Sequence, residues 1–210
     1  LQTGKHYCTK VDKVNFDLFP GDFIGITGKT GAGKSTLINI ISGLLNNYSG
    51  EFFVDGENIK NINSTSYKKL VGYVSQKLYF LDDTIEKNIG FGEKHIDRDK
   101  VWRALELVKL KEFCENLEKN IDTIIGENAL KLSGGQAQRL GLARIFYFNP
   151  EIIIFDESTN SLDETTEDQI LKIINKIHSN KIKIMITHRT NPLKFCNKVF
   201  QIDNSKIKKI

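Results

Sequence analysis

Phe23-Ile24-Gly25-Ile26-Thr27-Gly28-Lys29-Thr30-Gly31-Ala32-Gly33-Lys34-Ser35-Thr36 reads as a buried strand, a glycine-rich turn and the start of a helix. Gly28 to Ser35 fit the pattern G-x-x-x-x-G-K-[ST] of a phosphate-binding P-loop. Glycines let successive backbone N–H groups turn inward as an anion nest at a helix N-terminus. Lys34 then places a compact positive charge on the β- and γ-phosphates, and the Ser35 hydroxyl is offered to Mg²⁺. The candidate phosphate-binding set is therefore Gly28, Lys29, Thr30, Gly31, Ala32, Gly33, Lys34, Ser35 and Thr36.

A P-loop site needs a second half, an apolar strand that ends in a carboxylate. Ile152-Ile153-Ile154-Phe155-Asp156-Glu157 supplies one. Asp156, at the strand end, is placed to hold the hydration shell of Mg²⁺. Glu157, one residue further, is placed to polarise an attacking water as a general base.

Between these halves stands Leu132-Ser133-Gly134-Gly135-Gln136. A Ser-Gly-Gly helix start is another anion-binding N-terminus, with a hydroxyl and unpaired N–H groups facing outward. In this position it resembles the signature motif of ATP-binding cassette (ABC) proteins. The resemblance extends along essentially the whole chain. Gln76 follows the strand Tyr73-Val74-Ser75, Leu162-Asp163 closes a short loop after the Asp-Glu strand, and His188 ends Ile184-Met185-Ile186-Thr187. Six motifs stand in the family's order.

The resemblance implies a composite mechanism with ATP and Mg²⁺ as cofactors. Two cassettes, identical or not, dock head to tail, and each ATP lies between one copy's P-loop and the other copy's signature. Ser133 and Gly135 would then bind the γ-phosphate held by the partner's Lys34, with Gly134 and Gln136 completing the signature turn that faces that ATP. Gln76 would sense Mg²⁺ and the attacking water, His188 would contact the γ-phosphate, and Asp163 would bridge the copies. The catalytic set by this analogy is Glu157, His188 and Gln76, and the metal set is Ser35, Gln76 and Asp156. Hydrolysis removes the charge that held the copies together, a switch driven by the γ-phosphate.

The family usually stacks adenine on an aromatic residue upstream of the P-loop. Tyr7 is the candidate, although it precedes Val14 by only seven residues. Packing on the first strands is the other reading of Tyr7, so adenine recognition stays open at this level.

The kind of cassette follows from further resemblances. Ser133 stands only 57 positions after Gln76, too few for the long coiled coil of chromosome-type cassettes. The stretch from Phe80 to Gly92, with Thr84-Ile85 and Asn88-Ile89 before a glycine, resembles an exporter segment, and Leu81-Asp82-Asp83-Thr84-Ile85 in particular is similar to cassettes of bacterial flippases for lipid-linked sugars. Asp122-Thr123-Ile124-Ile125-Gly126-Glu127 resembles the exporter loop before the signature, with Ile124 where a glutamate is usual. This implies an ATPase motor beside a transmembrane domain, at the cytoplasmic face of a membrane, with no nucleic acid as partner. The alternative is a soluble cassette acting on ribosomes or nucleic acid. A transmembrane partner would dock near Gln76 and Tyr79–Ile85, so Leu78, Tyr79, Phe80 and Leu81 are read either as its contacts or as core.

Alternating strand-like and helix-like segments predict an α/β P-loop NTPase fold. A mixed, mostly parallel sheet, a small antiparallel portion and a helical subdomain carrying the signature are expected. One domain over residues 1–210 is expected, with the helical part at roughly 80–145. Predicted strands are Phe23–Thr27, Glu51–Val54, Gly72–Ser75, Ile152–Phe155 and Ile182–Ile186, with a closing hairpin of Val199–Ile202 and Lys206–Ile210. Predicted helices are one running past Leu37 to Leu44, then Asp97–Val108, Ser133–Phe148 and Glu164–Ile177.

Composition bounds the rest. The 210 residues carry 30 Lys and Arg against 26 Asp and Glu, a formal charge of +4, in a soluble globular range. No apolar run is long enough to span a membrane. A start at Leu1 without Met or a signal pattern suggests a piece of a longer chain. Cys8, Cys114 and Cys196 form no CxxC and read as reduced thiols. Ten basic side chains against Asp203 alone fill residues 171–210. These lysines alternate with isoleucines and read as solvated faces of core elements.

Overall fold

The computed structural model describes residues 14–15, 17–126, 132–203 and 206–210. Six strands form the main sheet in the order β4-β5-β6-β1-β7-β8. They are β1 (Phe23–Thr27), β4 (Val71–Val74), β5 (Ile152–Asp156), β6 (Ile182–Ile186), β7 (Lys198–Asp203) and β8 (Lys206–Lys209). The first five run parallel, and β8 closes one edge antiparallel to β7. This is the mixed, mostly parallel P-loop sheet that the sequence predicts.

Register fixes where chemistry is placed. Ile26 pairs with Ile186, Ile186 with Asp156, and Phe155 with Val74. The C-terminal ends of β1, β4, β5 and β6 therefore lie level along one edge, the usual place for a ligand in an open parallel sheet. Four sequence-distant segments are brought together there: the P-loop, Gln76, Asp156-Glu157 and His188.

Strand side chains alternate between two packed layers. Ile24, Ile26, Ile154, Ile184 and Ile186 face α1 (Lys34–Ile41), which buries Leu37, Ile38 and Ile41 against them. Phe23, Ile153, Phe155 and Met185 face the other side, with α6 (Gly134–Phe148) and α7 (Glu164–Ile177). Burying one such Ile or Leu side chain is worth roughly 1.5–3 kcal/mol, so this period-two pattern pins the register.

The helical portion contains α3 (Ile85–Ile89), α4 (Arg98–Leu107), α5 (Lys111–Glu115) and α6. Asp97 caps α4, accepting from Lys100 N–H at 3.0 Å. Helix α6 ends where Asn149 turns left-handed (φ 47°) ahead of Pro150. The small antiparallel sheet pairs β2 (Phe53–Val54) with β3 (Glu57–Asn58) around Asp55-Gly56. Both turn residues have positive φ, as a two-residue hairpin requires. A short helix, α2 (Ser64–Lys69), precedes β4. Among the described residues, no helix is long and apolar enough to cross a membrane.

Three expectations need correction. Helix α1 stops at Ile41 because Gly43 turns left-handed (φ 70°), which leaves Leu44 exposed. The predicted strand Glu51–Val54 shortens to Phe53–Val54, since only two residues find partners across the tight turn. Lys183 is not on a solvated face. It is wholly buried in β6, its Nζ donating to the His178 carbonyl at 2.6 Å and lying 5.7 Å from the Phe23 ring centroid. Both faces of a central strand are covered, so alternation there does not mark a wet side.

Candidate functional site

The P-loop geometry depends on its glycines. Gly28 has φ 146°, and a Cβ there would sit 2.3 Å from the Ile202 carbonyl oxygen on β7. Gly33 has φ 109° and stands at the N-cap of α1 with no side-chain cap. No side-chain cap therefore competes for the first N–H groups of α1. Lys34 is buried, and its Nζ donates to the carbonyls of Gly28 (2.5 Å) and Lys29 (3.0 Å). Burial lowers its pKa, while the nearby Glu157 and Asp156 charges oppose that shift. The ammonium is thus folded back onto its own loop. Thr30, Gly31 and Ser35 face solvent, and Ala32 and Thr36 are half-buried.

At the end of β5 the two acids differ. Asp156 accepts from Tyr73 Oη at 2.8 Å and is mostly enclosed. Burial raises its carboxyl pKa, the Tyr73 hydrogen bond and Lys34 pull it back, and Glu157 adds to the rise. Glu157 takes a left-handed backbone (φ 49°), rare for a non-glycine residue, with its N–H donating to the Ile186 carbonyl at 3.0 Å. Its Oε2 accepts from Gln76 Nε2 (2.8 Å) and Asn160 Nδ2 (3.2 Å). His188 Nε2 lies 3.1 Å from its Oε1. Gln76, Glu157 and His188 thus form one cluster.

The signature turn stands on its own element. Ser133 caps α6 in a reciprocal box: its Oγ accepts from Gln136 N–H at 3.2 Å, and Gln136 Oε1 accepts from Ser133 N–H at 2.9 Å. Gly134 and Gly135 face Ser161; a Cβ on Gly135 would lie 3.3 Å from the Ser161 carbonyl oxygen. Gln138, buried on the same helix, accepts from Ser161 N–H at 2.8 Å. Asp163 caps α7 by accepting from Thr166 N–H at 2.9 Å, and the Thr166 hydrogen bonds hold its pKa low. Among the described residues, the side-chain hydrogen bonds of Ser133 and Gln136 stay within the first turn of α6.

Several site-shaping residues escaped the sequence reading. Tyr73 is an ordinary strand tyrosine until the β4-β5 pairing sets it against Asp156. Asn160 lies in the loop before Leu162-Asp163 and is brought to Glu157 by that loop's turn. Arg189 follows His188 and links to the buried Glu167 (3.1 Å) and the Thr159 carbonyl (3.4 Å). The ambiguity over Leu78–Leu81 divides: Phe80 is core and Leu78 packs against it, whereas Tyr79 is 65% and Leu81 46% exposed. Tyr7 and Glu127 lie outside the described residues.

A model of the ABC transporter family matches residues 11–160. The chain belongs to that family. It is 32% identical over 197 residues to an uncharacterized ABC transporter ATP-binding protein of Bacillus subtilis (strain 168), covering 94% of this chain and 34% of that one. It is 34% identical over 194 residues to a putative multidrug export ATP-binding/permease protein of Staphylococcus aureus (strain NCTC 8325 / PS 47), covering 92% and 34%. Among solved structures, a bacterial Atm1-family ABC exporter with ATP bound superposes with a TM-score of 0.89 at 32% identity, covering 94% of this chain and 35% of that one. The chain therefore spans about a third of the length of these relatives, and its fold is that of their ATP-binding cassette.

Proposed function

We propose that this cassette, one domain over residues 1–210 with its helical part at roughly 80–145, is the Mg²⁺-dependent ATP-hydrolysing motor of an exporter or of a flippase for lipids or oligosaccharides. It would work at the cytoplasmic face of a membrane beside a transmembrane domain, as a head-to-tail pair with a second cassette. The observation that carries the catalytic reading is the grip on Glu157 by Gln76, Asn160 and His188 at the level of the P-loop.

On this reading Lys34 exchanges the Gly28 and Lys29 carbonyls for β- and γ-phosphate oxygens, and the N–H groups at the start of α1 complete the anion nest. Glu157 accepts the proton of the attacking water, its carboxylate aimed by the strained backbone and by Gln76. His188 would meet the γ-phosphate, Asp163 would face the second copy, and Ser133 to Gln136 would close over the other copy's ATP. Ser35, Asp156 and the Gln76 amide oxygen are hard oxygen donors that suit Mg²⁺. The burial that raises the Asp156 pKa is the kind of penalty an adjacent dication relieves. When bound, the metal supplies charge neutralisation at the phosphates.

Mixing two inactive variants tests the arrangement. Lys34→Ala and Ser133→Arg subunits, shown to form mixed dimers, leave one composite site per mixed dimer free of both changes. ATP turnover in the mixture but in neither variant alone is the expected result. An inactive mixture would overturn the head-to-tail reading.

A further inference from the structure

Arg144 lies on α6, eleven residues beyond the signature serine, in a half-buried setting. Among the described residues it has no carboxylate partner. Its Nε donates to the Asn88 carbonyl (2.8 Å) and its Nη2 to the Tyr79 carbonyl (3.0 Å). Its guanidinium sits 4.8 Å from the Phe80 ring centroid. One rigid fork therefore holds both ends of the segment from Tyr79 to Asn88.

Asn88 braces the same segment from within. Buried completely, it accepts from Leu81 N–H at 2.8 Å and donates to the carbonyls of Leu81 (3.1 Å), Asp83 (3.3 Å) and Thr84 (3.0 Å). Leu78 fits a notch at Gly141, one turn back along α6, where a Cβ would lie 2.7 Å from its Cδ2. The apolar tip presented outward by this clasp is Tyr79 and Leu81. The helix it is clasped to begins at the Ser133 cap, roughly 16 Å away at 1.5 Å per residue. Desolvating an unpaired arginine is costly, and its pKa is lowered by that burial. The fork geometry, which lysine cannot supply, is what the position uses.

We propose that Arg144 is a positioning residue that makes the Tyr79–Asn88 segment and the signature helix one mechanical body. A partner surface seated on Tyr79 and Leu81 then sets the orientation of Ser133–Gln136. This deepens the proposed function and rests on it for the identity of both surfaces, a transmembrane partner at the tip and the other copy's ATP at the serine. The mechanical link itself needs neither.

The test compares Arg144→Met and Arg144→Lys with the parent in the intact protein. For Arg144→Met, amide exchange should rise at least tenfold in both 79–88 and 133–137, with β1 and β5 unchanged. Binding of a fluorescent ATP analogue should stay within twofold while maximal turnover falls at least tenfold. Arg144→Lys, which reaches one carbonyl but not both, should fall between. Faster exchange confined to 79–88, or spread evenly over the chain, would overturn the link. If Arg144→Met fails to fold, the parent under mild denaturant decides: 79–88 and α6 should open on one common isotherm, and separate isotherms would overturn the proposal. A parent without ATP turnover would instead refute the motor reading, while the exchange result stands or falls alone.

Discussion

Gln76 and Glu157 are 81 residues apart in the chain, and the Gln76 amide nitrogen donates to the Glu157 carboxylate at 2.8 Å. The contact joins the loop after β4 to the end of β5, two neighbouring parallel strands. It ties the proposed general base to the loop that continues to Tyr79 and Leu81. Movement of that segment would therefore reach the carboxylate directly.

Glu157→Gln should keep nucleotide affinity and lose at least 100-fold in ATP turnover, since the amide cannot take the proton from water. The ATP-bound dimer should accumulate, readable by light scattering. Turnover at the parental rate would remove Glu157 from the mechanism. Gln76→Ala should produce a smaller loss, because it frees the carboxylate without changing its chemistry.

Tyr73→Phe removes the hydrogen bond to Asp156 and leaves the ring in place. That bond lowers the Asp156 pKa against burial, which raises it. The variant's carboxyl should titrate higher, so Mg²⁺-dependent turnover should be lost at a higher pH on the acid side than in the parent. Superimposable acid limbs would show that Tyr73 does not tune Asp156.

Gly28→Ala should abolish ATP binding or folding of the loop, because its Cβ would meet the Ile202 carbonyl oxygen at 2.3 Å on a backbone already at φ 146°. Gly31→Ala meets nothing within 4 Å and costs only the strain of φ 84°, roughly 1 kcal/mol. Thermal melts with and without ATP should separate the two.

His178 is buried against the Phe146 ring, and neither ring nitrogen has a partner among the described residues. Burial and the Lys183 and Lys181 charges push its pKa from 6.5 down to about 4. Above pH 6.5 it is neutral folded and unfolded, and contributes no pH dependence. Between pH 6.5 and about 4 only the unfolded chain takes the proton, so stability falls as pH falls. His178→Phe should flatten that limb. Between pH 7 and 5 the parent should lose about 2 kcal/mol more than the variant in urea unfolding, and parallel losses would refute the assignment.

Arg189→Ala strands the wholly buried Glu167 carboxylate, whereas Glu167→Gln leaves Arg189, a third exposed, able to reach water. The first should cost several kcal/mol and the second less. Equal costs in denaturant titrations would indicate that the pair is not held as a buried ion pair.

Sequence alone carries the P-loop, the Asp156-Glu157 strand end, the signature turn and the order of the remaining motifs. Those are local: a glycine spacing, an apolar run that ends in acid, and a cap with its partner three residues on are each written in contiguous residues. Element types followed too, because period-two and helical spacings are local properties. It misplaced the end of α1 and the setting of Lys183, where a left-handed glycine and a two-sided burial overrode the pattern. Tertiary structure alone decided that Tyr73 meets Asp156, that Asn160 and His188 converge on Glu157, and that Arg144 clasps two carbonyls of a distant loop. Parallel strands are joined by long crossovers, so which residues stand side by side depends on sheet order and register. Those are set by packing the whole core, and no short stretch of chain encodes them.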